Sequence, residues 1–87
     1  MDYLSLRFTS EFLASYRRLA SSDQRRIDQA LNQLEENERH PSLNVHQLKG
    51  QEAGVWVAYA SRKLRITFER LDSGQKRLVE CSQHYGD

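Results

Sequence analysis

The chain has 87 residues, with 13 Lys and Arg against 12 Asp and Glu, for a formal net charge of +1 at pH 7. A domain this small has a thin core, with room for one surface site but not for a cofactor-binding domain; its near-neutral charge argues against a strongly electrostatic nucleic-acid binder. The single cysteine, Cys81, excludes an internal disulfide framework, and without a signal-like start or a membrane-length apolar run the expectation is a soluble cytoplasmic protein with no membrane partner.

The opening YLSLRF alternates Leu4, Leu6 and Phe8 with Tyr3, Ser5 and Arg7, and reads as a short strand. Thr9 or Ser10 can cap a first helix whose Phe12, Leu13, Tyr16 and Leu19 share one face. A second helix follows a tight turn. Ser21 and Gln24 have capping-box spacing, and Ile27, Ala30, Leu31 and Leu34 form an apolar stripe at helical period. Glu35, Glu36 and Glu38 crowd its C-terminal end, where the helix dipole disfavours acids, so fraying is expected there. RHPSLN is a loop around the sole proline, Pro41. The composition then turns β-rich. VHQLKG, GVWVAYAS, KLRITFER and RLVECSQHY read as strands, with LDSGQK as a hairpin turn. The order β-α-α-β-β-β-β predicts a single α+β domain over residues 1–87, with a helical hairpin packed on one face of an antiparallel-rich sheet.

Alternate residues of a strand point to opposite faces. Leu64, Ile66 and Phe68 should therefore face the helices, and Arg65 should face away. Val79 and Cys81 are the best core pair of the last strand. That choice sends Glu80, Ser82 and His84 to the open face with Arg65, and leaves Leu78 there as a misfit. Trp56, Ala58 and Ala60 fall on the helix side, Val57 and Tyr59 on the open side. His46 and Lys49 lie on or beside the neighbouring strand. One permanent cation and two groups that titrate near neutrality suit RNA cleavage by the adjacent 2′-hydroxyl. That reaction needs a base, an acid and a cation for the charge growing on the phosphorus oxygens; it needs neither a metal nor an external nucleophile. The ordinary alternatives are a surface histidine at His84 and solvated charges at Arg65 and Lys49. Cys81 reads as a small buried residue. It points to the opposite face from His84, which argues against a shared zinc ion. His40 is given no role.

The run NVHQLKGQEAGVWVAYASRKLRITFERL, with RLVECSQHYGD behind it and a β-α-α start before it, resembles the RelE/ParE superfamily of type II toxin–antitoxin toxins. LKG, a strand, LRITF, a turn and a terminal strand ending in His-Tyr carry the likeness, which spans nearly the whole chain. The terminal pair is most similar to YoeB-type and YafQ-type messenger-RNA interferases. The resemblance implies an endoribonuclease that cuts messenger RNA in the ribosomal A site without a cofactor and inhibits translation. It implies neutralisation by a cognate antitoxin, with operator DNA reached only through the antitoxin complex. It also implies His46 as general base, Arg65 as the transition-state cation, His84 as general acid, Tyr85 as a residue that orients or stacks on RNA, and Lys49 as a phosphate contact. Arg62, Lys63, Lys76 and Arg77 are rim candidates for RNA binding. His46 stands where the YoeB pattern has a glutamate and in this resembles YafQ-type toxins; the acid and base roles of the two histidines could be exchanged. Two further readings stay open. One is a ParE-like inhibitor of DNA gyrase, which has no need for His46, Arg65 and His84 to converge. The other is a catalytically decayed member that only binds its antitoxin.

Overall fold

The computed structural model describes residues 3–50 and 54–83. Its elements run β1 (Leu6–Arg7), α1 (Ser10–Arg17), α2 (Ser21–Glu36), a 3-10 turn at Pro41–Leu43, β2 (His46–Gln47), β3 (Val55–Tyr59), β4 (Leu64–Arg70) and β5 (Lys76–Gln83). The strands form one sheet in the order β1-β5-β4-β3-β2. β1 pairs parallel with β5, and the remaining pairs are antiparallel. This is the expected α+β architecture. The last strand is internal, flanked by β4 along its length and by β1 at its first two residues.

The helices cover one sheet face. Phe12, Ile27, Leu31 and Leu34 from the helices pack with Ala58, Leu64, Ile66, Phe68, Leu78 and Cys81 from the strands in one buried cluster. Strand parity predicts Leu64, Ile66, Phe68 and Ala58 correctly, and Trp56 and Ala60 also pack against that cluster. It fails in β5, where Leu78 is fully buried and Val79 only half-buried. The register explains the failure. Thr67 pairs with Glu80 but Phe68 pairs with Leu78, so Val79 is the extra residue of a β-bulge. The bulge lets Leu78 and Cys81, three positions apart, both face the helices. Carbonyls beside the bulge are met by side chains, since buried backbone groups need partners. Thr67 Oγ1 donates to the Glu80 carbonyl at 3.2 Å, and Thr9 Oγ1 donates to that of Leu78 at 2.7 Å.

Thr9 has a second task. Its hydroxyl oxygen accepts the Phe12 N–H at 3.0 Å and caps α1. One side chain thus starts the first helix and ties it to an internal strand. Thr9→Ala is expected to cost about 1–2 kcal/mol, and Thr9→Ser to recover most of it; thermal melts of the two variants check this. On α1 itself, Leu13 is exposed, and Ser15 takes the buried place instead. Its Oγ accepts the Cys81 N–H at 3.0 Å and donates to the Phe12 carbonyl at 2.7 Å. Burial beside this serine raises the Cys81 thiol above its ordinary pKa, so the cysteine is a packing residue.

The second helix also departs from expectation at both ends. Ala20 occupies the N-cap position without a side-chain cap, and Gln24 donates through Nε2 to the Tyr16 carbonyl at 3.0 Å instead of closing a capping box. Two of the three C-terminal acids, Glu35 and Glu38, are held. Glu35 accepts the Ser5 N–H and hydroxyl at 3.0 and 2.8 Å, which lowers its pKa. Glu38, just past the helix, binds Arg70 and Lys76. Tertiary partners outweigh the unfavourable dipole.

Candidate functional site

The open face carries two cross-strand rows. His46, Val57, Thr67 and Glu80 oppose one another across β2, β3, β4 and β5. Tyr59, Arg65 and Ser82 form the next row toward the β3–β4 turn. Val57 and Thr67 are buried although they belong to this face. The open face is therefore dry at its centre, and its chemistry is displaced toward the Tyr59–Arg65 row.

Arg65 stands out electrostatically. It is half-buried on the central strand, makes no hydrogen bond or ion pair among the described residues, and its Nε is a buried donor without a partner. Leaving a buried charged-group donor unmet costs free energy that a purely structural arginine would have no reason to bear. Other arginines of the sheet do not share this state. Arg70 is paired with Glu38 and Arg77 with Glu69, the latter at 3.0 Å.

His46 is set by the loop before it. The 3-10 turn runs from Pro41 to Leu43 and is capped by Asn44, which sits in the left-handed region at φ 44°. Asparagine tolerates this conformation better than most residues. The Asn44 carbonyl accepts from His46 Nδ1 at 2.8 Å. A carbonyl only accepts, so Nδ1 is the donor, and in the neutral ring Nε2 is then the acceptor. The ring stacks on Tyr59 with centroids 5.8 Å apart and an interplanar angle of 23°. Tyr59 in turn lies directly across from Arg65, where facing side chains stand about 5 Å apart at Cβ.

The structure thus gathers His46, Tyr59, Arg65 and Ser82 in one neighbourhood, with exposed Arg62 and Lys63 on the adjoining turn. Other rim candidates are placed elsewhere. Lys76 is turned to the helix side, buried and ion-paired with Glu38 at 3.0 Å, because the β5 alternation that buries Leu78 buries Lys76 as well. Arg77 is on the open face but at the far end of the sheet, and is bonded to Glu69. Lys49 is exposed beyond β2, toward that same far end. His84 and Tyr85 lie outside the described residues. His40 accepts the Ser42 N–H at 3.2 Å and caps the 3-10 turn. Tyr59 is the site residue that sequence reasoning assigned no role. Parity already put it on the open face, and the missing information was the β2–β3 register that sets it against His46. Among the described residues, no three His, Cys, Asp or Glu side chains gather as metal ligands, and no helix is long and apolar enough to cross a membrane.

No protein-family model and no curated protein sequence matches the chain. Solved structures do. A YoeB/ParE toxin from Agrobacterium tumefaciens superposes with a TM-score of 0.74 at 20% identity, covering 94% of this chain and 100% of that one. YafQ from E. coli superposes with a TM-score of 0.72 at 14% identity, covering 90% of each chain. The isolated E. coli RelE toxin does so with a TM-score of 0.69 at 17% identity, covering 99% of this chain and 88% of that one. The chain has the RelE/ParE fold. Within that fold, the solved structures it resembles include those of YoeB and YafQ toxins.

Proposed function

We propose that this protein is the toxin of a type II toxin–antitoxin pair and that it cuts messenger RNA on the ribosome. The observation that carries the reading is Arg65, a half-buried cation with an unmet Nε on the open sheet face, directly across from the tyrosine on which the His46 ring stacks. In this mechanism His46 Nε2 takes the 2′-hydroxyl proton, and the 2′ oxygen attacks the adjacent phosphorus. Arg65 holds the charge that grows on the non-bridging oxygens. His84 gives a proton to the departing 5′ oxygen, leaving a 2′,3′-cyclic phosphate and a free 5′-hydroxyl. Tyr85 orients the RNA, while Arg62 and Lys63 hold its backbone from the adjacent turn. His84 is included because the resemblance implies it as general acid and because it follows Ser82, which pairs with Arg65, by two positions in the sequence. The modest net charge suits an enzyme whose substrate is presented by another particle. Support for an antitoxin partner comes from the fold: a YoeB–YefM toxin–antitoxin complex from Staphylococcus aureus is among the structures it resembles, with a TM-score of 0.71 and 16% identity over 97% of this chain.

The test is a reconstituted translation reaction with programmed ribosomes, read by primer extension on the messenger. Discrete cuts in the A-site codon are expected with the purified chain and are expected to be lost with His84→Ala, whose melting temperature should match the wild type. An intact messenger with the wild-type chain, together with inhibition of gyrase supercoiling, would replace this reading with the ParE-like one.

A further inference from the structure

We infer that Tyr59 is a positioning residue for His46, holding the imidazole ring in the orientation and tautomer that leave Nε2 as the proton acceptor. Its catalytic consequence rests on the nuclease reading above; its structural content does not. His46 begins a strand only two residues long at the edge of the sheet, so its backbone is held by β3 alone. Among the described residues its ring makes one hydrogen bond, from Nδ1 to the Asn44 carbonyl, and that bond is solvent-exposed. A histidine side chain in water prefers its proton on Nε2, so an exposed bond is a weak hold on the tautomer. The Tyr59 ring supplies the second constraint. It lies near-parallel to the imidazole, and offset aromatic stacking fixes a ring plane as well as a distance. Tyr59 belongs to β3, which is paired on both sides, and so passes the rigidity of the internal sheet to an edge residue. Tyr59 also lines a groove of about 280 Å³ that is shared by α2 and by His40 and Ser42 of the loop before β2. It also opposes Arg65 across the strands, so the same residue neighbours both base and cation. A loosely held general base loses rate without losing substrate.

The experiment compares the wild type with Tyr59→Phe and Tyr59→Leu. Nitrogen-15 shifts of the His46 ring are read in the free protein at pH 8 and assigned with His46→Gln. The wild type and Tyr59→Phe are expected to show the Nδ1–H form, and Tyr59→Leu to move toward the Nε2–H form that an unconstrained histidine prefers. In the cleavage reaction Tyr59→Leu is expected to lower kcat about 10–100-fold at nearly unchanged KM, with Tyr59→Phe close to wild type. A wild-type ring in the Nε2–H form, or a Tyr59→Leu ring that keeps the wild-type tautomer, would overturn the inference. If Tyr59→Leu does not melt cooperatively, Tyr59→Gln takes its place, with side-chain length but no ring. Absence of cleavage by the wild type defeats the nuclease reading alone, and the ring shifts still decide the positioning role.

Discussion

Arg65→Met is expected to abolish cleavage, by about 100–1,000-fold in kcat, while leaving the fold as stable as before or slightly more so. The activity loss follows from the role proposed for the guanidinium. Removing a donor aimed at developing charge typically costs that factor. The stability expectation follows from the unmet Nε. Arg65 forms no bond with the described residues that its loss would break, and methionine retains an apolar stem of similar reach against Tyr59 and Ser82. Relief of an unsatisfied buried donor is stabilising by about 1 kcal/mol. An arginine kept for structure predicts the opposite pair of results. Arg65→Lys separates charge from geometry: lysine restores the cation without the planar fork and is expected to recover only part of the rate. Primer extension in the translation reaction and a thermal melt decide the matter. A destabilised Arg65→Met would show that Arg65 is structural, and a destabilised but active variant would remove it from the mechanism altogether. Stability that rises as activity falls is the usual mark of a site held in an unfavourable state for function.

The element order, the layer arrangement and most of the core were legible in the sequence because periodicity reports burial directly. The i, i+3, i+4, i+7 stripe from Ile27 to Leu34 and the alternation from Leu64 to Phe68 both appear in the structure as the buried sides of α2 and β4. What could not be read was any feature set by a partner distant in sequence. A bulge at Val79 leaves no local sign except that Leu78 falls on the wrong face, and that misfit was its one trace. The ends of α2 were misjudged for the same reason. Local rules favour a capping box at Ser21 and fraying near Glu38, whereas Gln24 bonds back to α1 and the acids meet Ser5, Arg70 and Lys76. For the site, parity gives Arg65 and adjacency in sequence gives His46 only a place on or beside the neighbouring strand; the structure places both on the open face. Lys76 was misplaced because a lysine in an exposed-looking strand sequence is ordinarily solvated, and only the position of Glu38 in space makes its burial tolerable. Tyr59 went unassigned because stacking depends on register between strands, which composition does not encode.

Glu38→Gln is expected to destabilise the domain by about 2–3 kcal/mol at pH 7 and to flatten its acid limb. Glu38 Oε1 meets Lys76 Nζ at 3.0 Å and Arg70 NH1 at 3.1 Å, and Oε2 meets Arg70 NH2 at 2.6 Å. The Arg70 guanidinium lies 4.1 Å over the Trp56 ring, so the group joins the end of α2 to β3, β4 and β5. The Lys76 side chain is only 9% exposed. Removing the carboxylate charge leaves a buried ammonium beside a second cation, which is the costly way to break such a group. At about 4–8 °C per kcal/mol for a domain of this size, the melting temperature should fall by roughly 10–20 °C. The pH dependence follows from the same contacts. The Arg70 hydrogen bond, with Lys76 behind it, holds the Glu38 carboxyl at about 2 against an ordinary value of 4.5. A depressed carboxylate pKa contributes stability that is complete above about pH 4.5 and is lost as the pH falls toward 2. Glu35, also lowered, adds to the wild-type slope in the same direction. Melts from pH 7 to pH 2 should therefore show a steep decline below pH 5 in the wild type and a lower, shallower curve in Glu38→Gln. Parallel curves would show that Glu38 is not the linked group. Adding Lys76→Met to Glu38→Gln should restore much of the loss, because the uncompensated charge, rather than the missing contact, is the larger part of the cost.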